Sequence, residues 1–408
     1  MAALDTGDTA FLLMSAALVM LMTPALGLFY GGMVRQKNVL GTIMHSFFVL
    51  GLISVVWAVA GYSVAFGPGG GPLVGGLAWA GLRGVGQEPY AGYAGNVPHL
   101  AFMVFQLMFA AVTPALVTGA FAERMKFSSF VAFVVLWSLV IYSPICHWVW
   151  GIGGWIRELG ALDFAGGTVV HISSGAAALA AALAVGRRRR TAGAMSPHNV
   201  PMTILGAAML WFGWFGFNAG SALSSAGLAA SAFVVTHLAA AAASVTWVMA
   251  EWLHRGHPTT LGAATGCVTG LVAITPAAGF VAPMPALVIG AAAGVLCYGA
   301  VQLKRPLGYD DALDVVGVHG AGGIIGALGT GLFASAAVNA AGANGLVLGN
   351  PGLMIPQLAA IGAVLGYSFV GTTVLLQVIG RIFGLRIAEE HEEIGLDLSQ
   401  HSETGYAW

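Results

Sequence analysis

The sequence predicts an all-α, polytopic membrane protein with eleven transmembrane helices, an outer amino terminus and a cytoplasmic carboxyl terminus (N-out/C-in). Only 8% of the 408 residues are charged and 58% are hydrophobic. A soluble domain carries roughly 25% charged residues, so this chain could not cover a soluble surface. Apolar runs of about 20 residues, enough to cross a bilayer, recur along the chain. Lys and Arg gather in alternate loops, which indicates a fixed orientation.

The apolar runs divide the chain into two parts. Residues 1–385 form one transmembrane domain, and residues 386–408 form a polar, acidic tail in the cytoplasm. The first run follows residues without Lys or Arg, unlike a secretory signal, so we expect it to be retained as a helix. The eleven runs are 10–31, 40–66, 98–121, 128–149, 163–186, 200–219, 228–253, 260–278, 285–303, 314–335 and 354–383.

The distribution of Lys and Arg predicts the orientation, because cytoplasmic loops of membrane proteins carry an excess of these residues. With the amino terminus outside, thirteen of the fifteen fall on the cytoplasmic side, and only Arg83 and Arg157 lie outside. We interpret the run 187–190 (RRRR) as an anchor of this topology.

Composition also bears on partners and packing. The net charge is −1, so nothing indicates nucleic acid as a partner. Cys146, Cys267 and Cys297 form neither a disulfide framework nor a CxxC pair, so we interpret them as packing residues. Sixty glycines, roughly twice the usual share, let helix backbones approach closely in lipid. They predict a tightly packed bundle.

A short internal repeat places one histidine in the fifth helix and another in the tenth. Residues 168–175 (TVVHISSG) and 316–323 (VGVHGAGG) both have Val before the histidine and Gly four residues after it. Because a unit of five helices is odd, a second copy must enter from the opposite side. This predicts an inverted five-helix repeat, an arrangement common in transporters with a midplane site.

The positions of these histidines indicate that they reach similar depths. If the helices start near Asp163 outside and Asp310 inside, His171 and His319 lie about 12 Å and about 13.5 Å deep, since an α-helix rises about 1.5 Å per residue. The hydrocarbon core is about 30 Å thick, so both side chains approach its centre.

Ionisable groups at mid-depth are costly and usually face a bundle interior or a pathway. His171 and His319 are either a pair of helix-bridging hydrogen bonds or the polar lining of a narrow path. A neutral imidazole has one donor and one acceptor, which suits a small neutral molecule that does both. A metal centre, as in an intramembrane metalloenzyme, is a third reading. Two histidines are too few for a typical zinc site, and we expect no metal.

The segment 211–221 (WFGWFGFNAGS) is the most specific in the chain. Aromatic residues with glycines at a helix end are also typical of an interfacial belt. However, the segment carries Asn218 and Ser221 at the outer end of its helix. Aromatic faces attract cations by about 0.5–2 kcal/mol, and a hydroxyl oxygen accepts N–H donors. The pattern therefore favours recognition of a small cation that, unlike potassium, has hydrogens to donate.

Ordered blocks along almost the entire chain carry a family resemblance. They are 28–33 (LFYGGM), 105–109 (FQLMF), 119–124 (GAFAER), 162–171 (LDFAGGTVVH), 213–221 (GWFGFNAGS), 270–276 (GLVAITP), 314–320 (DVVGVHG) and 395–397 (GLD). Together they resemble the Amt/Mep/Rh family of ammonium transporters. Ser221 favours the bacterial Amt branch, because the Rh branch typically lacks this serine.

The resemblance implies a substrate site at the outer mouth. Phe109, Trp150 and Ser221 resemble the external ammonium site of the family. Phe109 and Phe217 resemble the stacked aromatic gate below it.

The resemblance also implies roles deeper in the bundle. His171 and His319 resemble the twin-histidine pore, and Asp163 resembles the buried acidic residue near the external site. Asp163 would also suit a cap at the start of the fifth helix. Trp214 and Thr275 are expected to border the path.

The family resemblance implies an ammonium transporter or channel, not an enzyme, in the inner cell membrane. Ammonium would bind outside and lose a proton, because a bare ion is very costly in a dry apolar pore. Ammonia would then cross, with or without separate transfer of the proton, and methylammonium would act as an analogue. An ammonium sensor with incidental flux is the alternative.

The resemblance further implies a homotrimer in the lipid bilayer, with no cofactor. The tail 386–408 would couple subunits and respond to a PII-type signalling protein. The alternative for the tail is a solvated, mobile terminus, which is usual at chain ends.

Overall fold

The computed structural model describes residues 4–189 and 196–406 and consists of a bundle of long helices. The α-helices are α1 Thr6–Met33, α2 Val39–Val56, α3 Tyr62–Phe66, α4 His99–Val117, α5 Phe127–Trp137, α6 Ser143–Trp150, α7 Trp155–Glu158, α8 Ser173–Val185, α9 Val200–Gly220, α10 Gly227–Arg255, α11 Thr260–Ile274, α12 Pro283–Leu307, α13 Ala321–Phe333, α14 Met354–Phe383, α15 Glu389–Ile394 and α16 Leu396–His401.

Shorter elements complete the described chain. The π-helical turns are Trp57–Gly61 between α2 and α3, Ser138–Tyr142 between α5 and α6, Gly167–Ile172 before α8 and Val316–Gly320 before α13. The 3₁₀ turns are Gln36–Asn38, Ala80–Leu82, Thr118–Ala120, Leu346–Leu348 and Pro351–Leu353. Strands β1 (Pro89–Tyr90) and β2 (Ala94–Pro98) form a small antiparallel pair in a predicted outer loop. The predicted all-α class is confirmed apart from this pair.

Within the described ranges, ten helical segments are long and apolar enough to cross a membrane, so the chain is a multi-pass membrane protein. The predicted count of eleven is not confirmed. The run predicted at 260–278 forms only α11, whose 15 residues reach about 22 Å. This helix stops at Ile274 because Pro276 has no N–H with which to continue it. The ten segments are Thr6–Met33, Gln36–Phe66, His99–Ala120, Phe127–Glu158, Gly167–Val185, Val200–Gly220, Gly227–Arg255, Pro283–Leu307, Val316–Phe333 and Pro351–Phe383.

Glycine allows α1 and α9 to pack in close antiparallel contact. A methyl group on Gly213 would lie 2.8 Å from the carbonyl oxygen of Leu18, and one on Gly216 would lie 2.8 Å from that of Ser15. Because lipid offers no hydrophobic drive for helix association, close backbone contact supplies the packing energy. This is the packing that the glycine content predicted.

The two histidine-bearing segments run antiparallel and cross at a pair of glycines. A side chain on Gly175 of α8 would collide with the backbone of Gly320, and a side chain on Gly323 of α13 would lie 3.0 Å from the amide nitrogen of Ile172. Each segment therefore packs against the turn that carries the histidine of the other.

An aspartate precedes each histidine by eight residues and caps its π-helical turn. Oδ2 of Asp163 accepts a hydrogen bond from Thr168 N at 2.8 Å, and Oδ2 of Asp311 accepts one from Val316 N at 2.7 Å. The helix starts predicted near Asp163 and Asp310 are therefore too early, and the depths calculated from them do not hold. The equal spacing supports the inverted relationship, while the full repeat and the orientation stay predictions.

Apolar side chains cover the outward faces of the helices. Phe47, Val59 and Ile355 are 64%, 59% and 68% exposed, respectively. Exposed apolar surface of this kind is typical of protein that lies in contact with lipid.

The tail packs against the rest of the chain through its two short helices. The carboxylate of Asp397 accepts hydrogen bonds from Leu40 N at 3.0 Å and Gly41 N at 2.8 Å, in the first turn of α2. Leu396 N donates to Asn38 Oδ1 at 2.8 Å. An anion is favourable at a helix amino terminus, so Asp397 helps to hold the tail in place. Residues 407 and 408 lie outside the described chain.

Candidate functional site

A cavity of about 220 Å³ opens at the predicted outer end of the bundle. It brings together Phe109 from the middle of α4, Trp150 from the end of α6 and Ser221 from the end of α9, the three residues predicted to bind substrate. These residues are far apart in the sequence, and the packing of three helices places them around one cavity.

Trp150 is fixed by a hydrogen bond at one end of its indole ring. Its Nε1 donates to the carbonyl oxygen of Asp163 at 2.9 Å. The ring stands at 90° to that of Phe109, with centroids 5.9 Å apart. An edge-to-face arrangement of this type is favourable for two aromatic rings.

Ser221 presents an acceptor to the cavity. Its hydroxyl group donates to the carbonyl oxygen of Phe217 at 2.9 Å, one turn earlier in the chain. Because the hydroxyl proton is used in this bond, the lone pairs of the oxygen stay available for an N–H donor.

Phe109, which lines this cavity, packs against Phe217. Their ring centroids are 4.3 Å apart, and both side chains are almost completely buried. The two rings therefore leave no wide aqueous passage from the outer cavity to the bundle interior.

A second void, of about 10 Å³, is lined by Phe217 and by both predicted histidines. A void of roughly 10–15 Å³ holds about one water molecule. The rings of His171 and His319 lie 5.3 Å apart, and their Nδ1 atoms are separated by 3.2 Å. His171 Nε2 has no hydrogen-bond partner among the described residues. The remaining walls are mainly apolar and include Met22, Leu26, Phe29, Val112, Leu116 and Val268.

Trp214 and Thr275 meet beside the histidine pair. Trp214 Nε1 donates to Thr275 Oγ1 at 2.9 Å, and the Trp214 ring is stacked on His171 with centroids 5.5 Å apart. Trp214 therefore contacts the void directly, whereas Thr275 holds its indole.

Asp163 caps the turn that carries His171. Its carboxylate accepts from the amides of Gly166 at 2.8 Å, Gly167 at 2.7 Å and Val169 at 3.2 Å, and from both the amide and the hydroxyl of Thr168. These donors account for the burial of the aspartate, because buried charges need hydrogen-bond partners. The predicted capping role thus corresponds to the observed contacts.

The outer cavity also contains polar residues that sequence reasoning did not select. Gln106 and Arg157 both line it. Gln106 Oε1 is buried and has no partner among the described residues. The sequence feature that could have identified Gln106 is its position in the block 105–109, three residues before Phe109.

Asp311, before the turn that carries His319, was not selected from the sequence either. Burial, with Asp314 nearby, raises its pKa to about 6. Its Oδ1 is buried and has no hydrogen-bond partner within the described ranges. The spacing of eight residues to His319, equal to that between Asp163 and His171, could have identified it.

A larger cavity of about 1020 Å³ opens at the predicted cytoplasmic end. Its charged lining residues are Arg187, Arg188, Lys304, Arg305, Asp310 and Asp314. The predicted topology anchor 187–190 contributes two of these residues, while its last residue, Arg190, lies outside the described chain.

Glu123 lies at the centre of a charge network beside this cavity. Its carboxylate binds Arg35 Nε at 2.8 Å and Arg188 Nη1 at 3.0 Å, and Arg188 also binds Asp310 at 2.8 Å. Burial raises the pKa of Glu123, but the Arg188 and Arg35 guanidiniums outweigh burial and hold the pKa below its ordinary value. The network therefore stays charged at neutral pH.

Among residues 4–189 and 196–406, no group of three or more His, Cys, Asp or Glu side chains forms a potential metal site. Cys146, Cys267 and Cys297 are free thiols buried among the helices.

Comparison with known proteins identifies relatives over the full described length. The sequence profile described as "Ammonium Transporter Family" matches residues 10–406. The chain is 52% identical over 404 residues to an ammonium transporter of Bacillus subtilis, with 99% of each chain covered. It is 46% identical over 407 residues to the ammonium transporter Amt1 of Archaeoglobus fulgidus, with 99% of this chain and 100% of the relative covered.

Solved structures share the fold. The crystal structure of Candida albicans Mep2 superposes with a TM-score of 0.89 at 36% identity, covering 95% of this chain and 87% of that chain. A protein described as "Sensor Amt Protein" superposes with a TM-score of 0.88 at 28% identity, covering 97% of this chain and 98% of that chain.

Proposed function

The chain belongs to the ammonium transporter family, and from this premise we propose that it carries ammonium into the cytoplasm in three steps. Ammonium binds in the outer cavity, releases a proton there, and crosses the bundle as ammonia past His171 and His319. Separate transfer of the proton would make the transport electrogenic.

Recognition is assigned to Phe109, Trp150 and Ser221. The two aromatic rings stabilise a cation by about 0.5–2 kcal/mol each, and more when the cation is desolvated. The Ser221 oxygen accepts an N–H from the ligand, because its own proton is bonded to the Phe217 carbonyl. Potassium has no hydrogen to donate, so the site favours ammonium and methylammonium.

Deprotonation follows from the closed, apolar path below. Phe109 and Phe217 act as a gate, and the void beyond them is too small for a hydrated ion. An unpaired charge in such surroundings is very costly, whereas neutral ammonia is not. The free-energy cost of crossing is therefore lower when the proton is left in the outer cavity and neutral ammonia passes the constriction.

The histidine pair lines the path for ammonia, which both donates and accepts hydrogen bonds. Because the two Nδ1 atoms are bonded to each other, one imidazole holds its proton at Nδ1 and the other is an Nδ1 acceptor with its proton at Nε2. The two Nε2 atoms then offer one lone pair and one N–H to the path. Trp214 borders this position, and Thr275 and Asp163 support it.

The observation that carries the proposal is that three features adjoin one another in order. An outer aromatic cavity with a free acceptor is followed by a closed pair of rings and then by a water-sized void with two linked histidines. This order separates ion recognition from neutral conduction.

The test is the current evoked by an ammonium pulse on proteoliposomes that contain the purified protein, with a potassium pulse as control. An ammonium-specific current supports selective electrogenic transport. If no current appears, an internal pH indicator in the same vesicles distinguishes electroneutral ammonia entry from absence of transport. Absence of both signals contradicts the proposal.

A second candidate function is ammonium sensing, favoured by the similarity to the structure described as a sensor. Sensing would require that ligand binding changes the docking of the tail. Ammonium-dependent protection of residues 386–406 from proteolysis, in a variant that transports nothing, would support it.

Assembly and regulation are also proposed from the family. We expect a homotrimer in the inner membrane, which mass measurement in mild detergent tests; a monodisperse monomer would contradict it. Residues 1–385 are the transport domain and residues 386–408 the regulatory tail, with a PII-type protein as the proposed partner at the cytoplasmic face. Retention of a purified PII protein by full-length chains but not by chains cut after residue 385 would support this partner.

A further inference from the structure

Gln357 lies in the first turns of α14, far in sequence from every residue of the outer cavity, and is 1% exposed. Its amide oxygen accepts from Leu162 N at 2.6 Å, and its amide nitrogen donates to Leu162 O and Ala327 O, both at 3.0 Å. This orientation of the amide is the one that satisfies all three backbone groups, because one N–H needs an oxygen and two carbonyls need donors. Gln357 therefore hydrogen-bonds to both the N–H and the carbonyl oxygen of Leu162.

The residue held in this way, Leu162, directly precedes Asp163. The segment between α7 and the turn at Gly167–Ile172 has no regular structure of its own. On its far side, Phe164 N donates to Pro276 O at 3.1 Å. Asp163 is thus held between two anchors, one from a side chain of α14 and one from the backbone after α11.

Asp163 in turn holds Trp150. The indole Nε1 donates to the carbonyl oxygen of Asp163 at 2.9 Å. A continuous set of hydrogen bonds therefore runs from Gln357 through the backbone of Leu162 and Asp163 to the indole at the cavity wall. A shift of the segment moves the carbonyl to which the indole is bonded.

We propose that Gln357 is a positioning residue for ammonium recognition: it fixes the segment at Asp163 and thereby the plane of the Trp150 ring. It touches neither the cavity nor the proposed substrate. The inference rests on the proposed recognition role of Trp150 and extends it to a residue of α14 that lies outside the cavity.

The test compares apparent affinity and maximal rate for methylammonium in four proteins: the native chain, Gln357→Leu, Trp150→Phe and the double variant. Leu keeps most of the volume of Gln but can neither donate nor accept a hydrogen bond. Phe keeps an aromatic face but lacks the indole N–H. We expect Gln357→Leu to weaken apparent affinity about fivefold, the change that loss of one net hydrogen bond produces, with a smaller change in maximal rate. In the double variant, Gln357→Leu should add no further loss of affinity, because the indole bond through which it acts is already absent.

A matched control lies on the same helix. Trp137 Nε1 donates to Thr372 Oγ1 at 2.9 Å, also in the buried interior. Thr372→Val removes the hydrogen bond that the Trp137 indole donates, which lies away from the cavity. It should leave the apparent affinity for methylammonium unchanged. Equal losses in Thr372→Val and Gln357→Leu would show a general loss of packing and overturn the proposal, as would fully additive effects in the double variant.

Two outcomes separate this inference from the proposed function. If Trp150→Leu alone leaves affinity unchanged, the recognition role of Trp150 is wrong. If Trp150→Leu weakens affinity but Gln357→Leu does not, only the positioning role is wrong. Should Gln357→Leu not fold, Gln357→Glu keeps the acceptor for Leu162 N but loses at least one of the two donated bonds, and the same comparison with Trp150→Phe decides the proposal.

Discussion

His171 and His319 face each other with their Nδ1 atoms 3.2 Å apart, although each is carried by a separate π-helical turn and the two segments run in opposite directions. One Nδ1 atom donates its proton to the other in a hydrogen bond, so the tautomer of one ring determines that of the other. This coupling leaves one donor and one acceptor directed away from the pair, which matches the hydrogen-bonding capacity of ammonia.

We predict that His171→Ala and His319→Ala each lower ammonium transport by about tenfold, because each variant removes one of the two polar groups that would hydrogen-bond to ammonia in the path, a loss of about 1–3 kcal/mol. Transport should be measured as uptake in proteoliposomes together with the ammonium-to-potassium selectivity. His257→Ala, at an exposed position after α10, is the control. Unaltered transport and selectivity in both pore variants would refute the role of the pair.

We predict that Trp150→Leu weakens the apparent affinity for methylammonium about fivefold, since a cation–π contact contributes about 1 kcal/mol. The concentration dependence of the evoked current measures this change. Trp252→Leu is the control, because Trp252 is 57% exposed on the outer face of α10. If Trp252→Leu weakened the apparent affinity equally, the loss in Trp150→Leu would not come from the cavity, and the prediction would be wrong.

We predict that Phe217→Ala opens the constriction between the outer cavity and the histidine void. Removal of the ring that lies 4.3 Å from Phe109 joins the two spaces and admits water. Stopped-flow measurements should show faster osmotic water flow and a new proton leak. Phe215→Ala, which removes a ring stacked on Phe233 at 3.8 Å elsewhere on α9, should show neither.

We predict that Glu123→Gln destabilises the protein at neutral pH by about 3 kcal/mol, because breaking a buried ion pair leaves its partners uncompensated. The folded protein holds the pKa of Glu123 below its ordinary value. The charged carboxylate therefore contributes its full stabilisation above the ordinary pKa of about 4.3, and this contribution is lost as the pH falls through the folded pKa.

Thermal unfolding in detergent from pH 7 to below pH 4 tests this prediction. The midpoint of the variant should lie below that of the native chain at pH 7, and the difference should stay constant down to about pH 4.3 and shrink only below it. Glu158→Gln, at an exposed position, should have little effect at any pH. A difference between Glu123→Gln and the native chain that does not depend on pH would contradict the ion-pair explanation.

Much of the architecture could be predicted because lipid restricts both composition and pattern. A chain with so few charges must be helical where it crosses a bilayer, since every backbone group there needs an internal partner. The helix starts assumed near Asp163 and Asp310 are four and six residues too early, because the chain that follows each aspartate is not helical, which hydropathy does not reveal. The count of eleven is not confirmed, because an apolar run such as 260–278 says nothing of where α11 ends.

The sequence by itself determined the class of protein, the family and the residue types available at the site, because composition, apolar run length and ordered motifs are properties of the chain alone. Only the tertiary structure decided which of these residues meet. It placed Phe109, Trp150 and Ser221 around one cavity, bonded Trp214 to Thr275, and revealed Gln357 as the anchor of the segment at Asp163. The physical reason is that contacts between distant helices depend on glycine-permitted backbone approach and on buried hydrogen bonds, and neither leaves a periodic signal in the sequence.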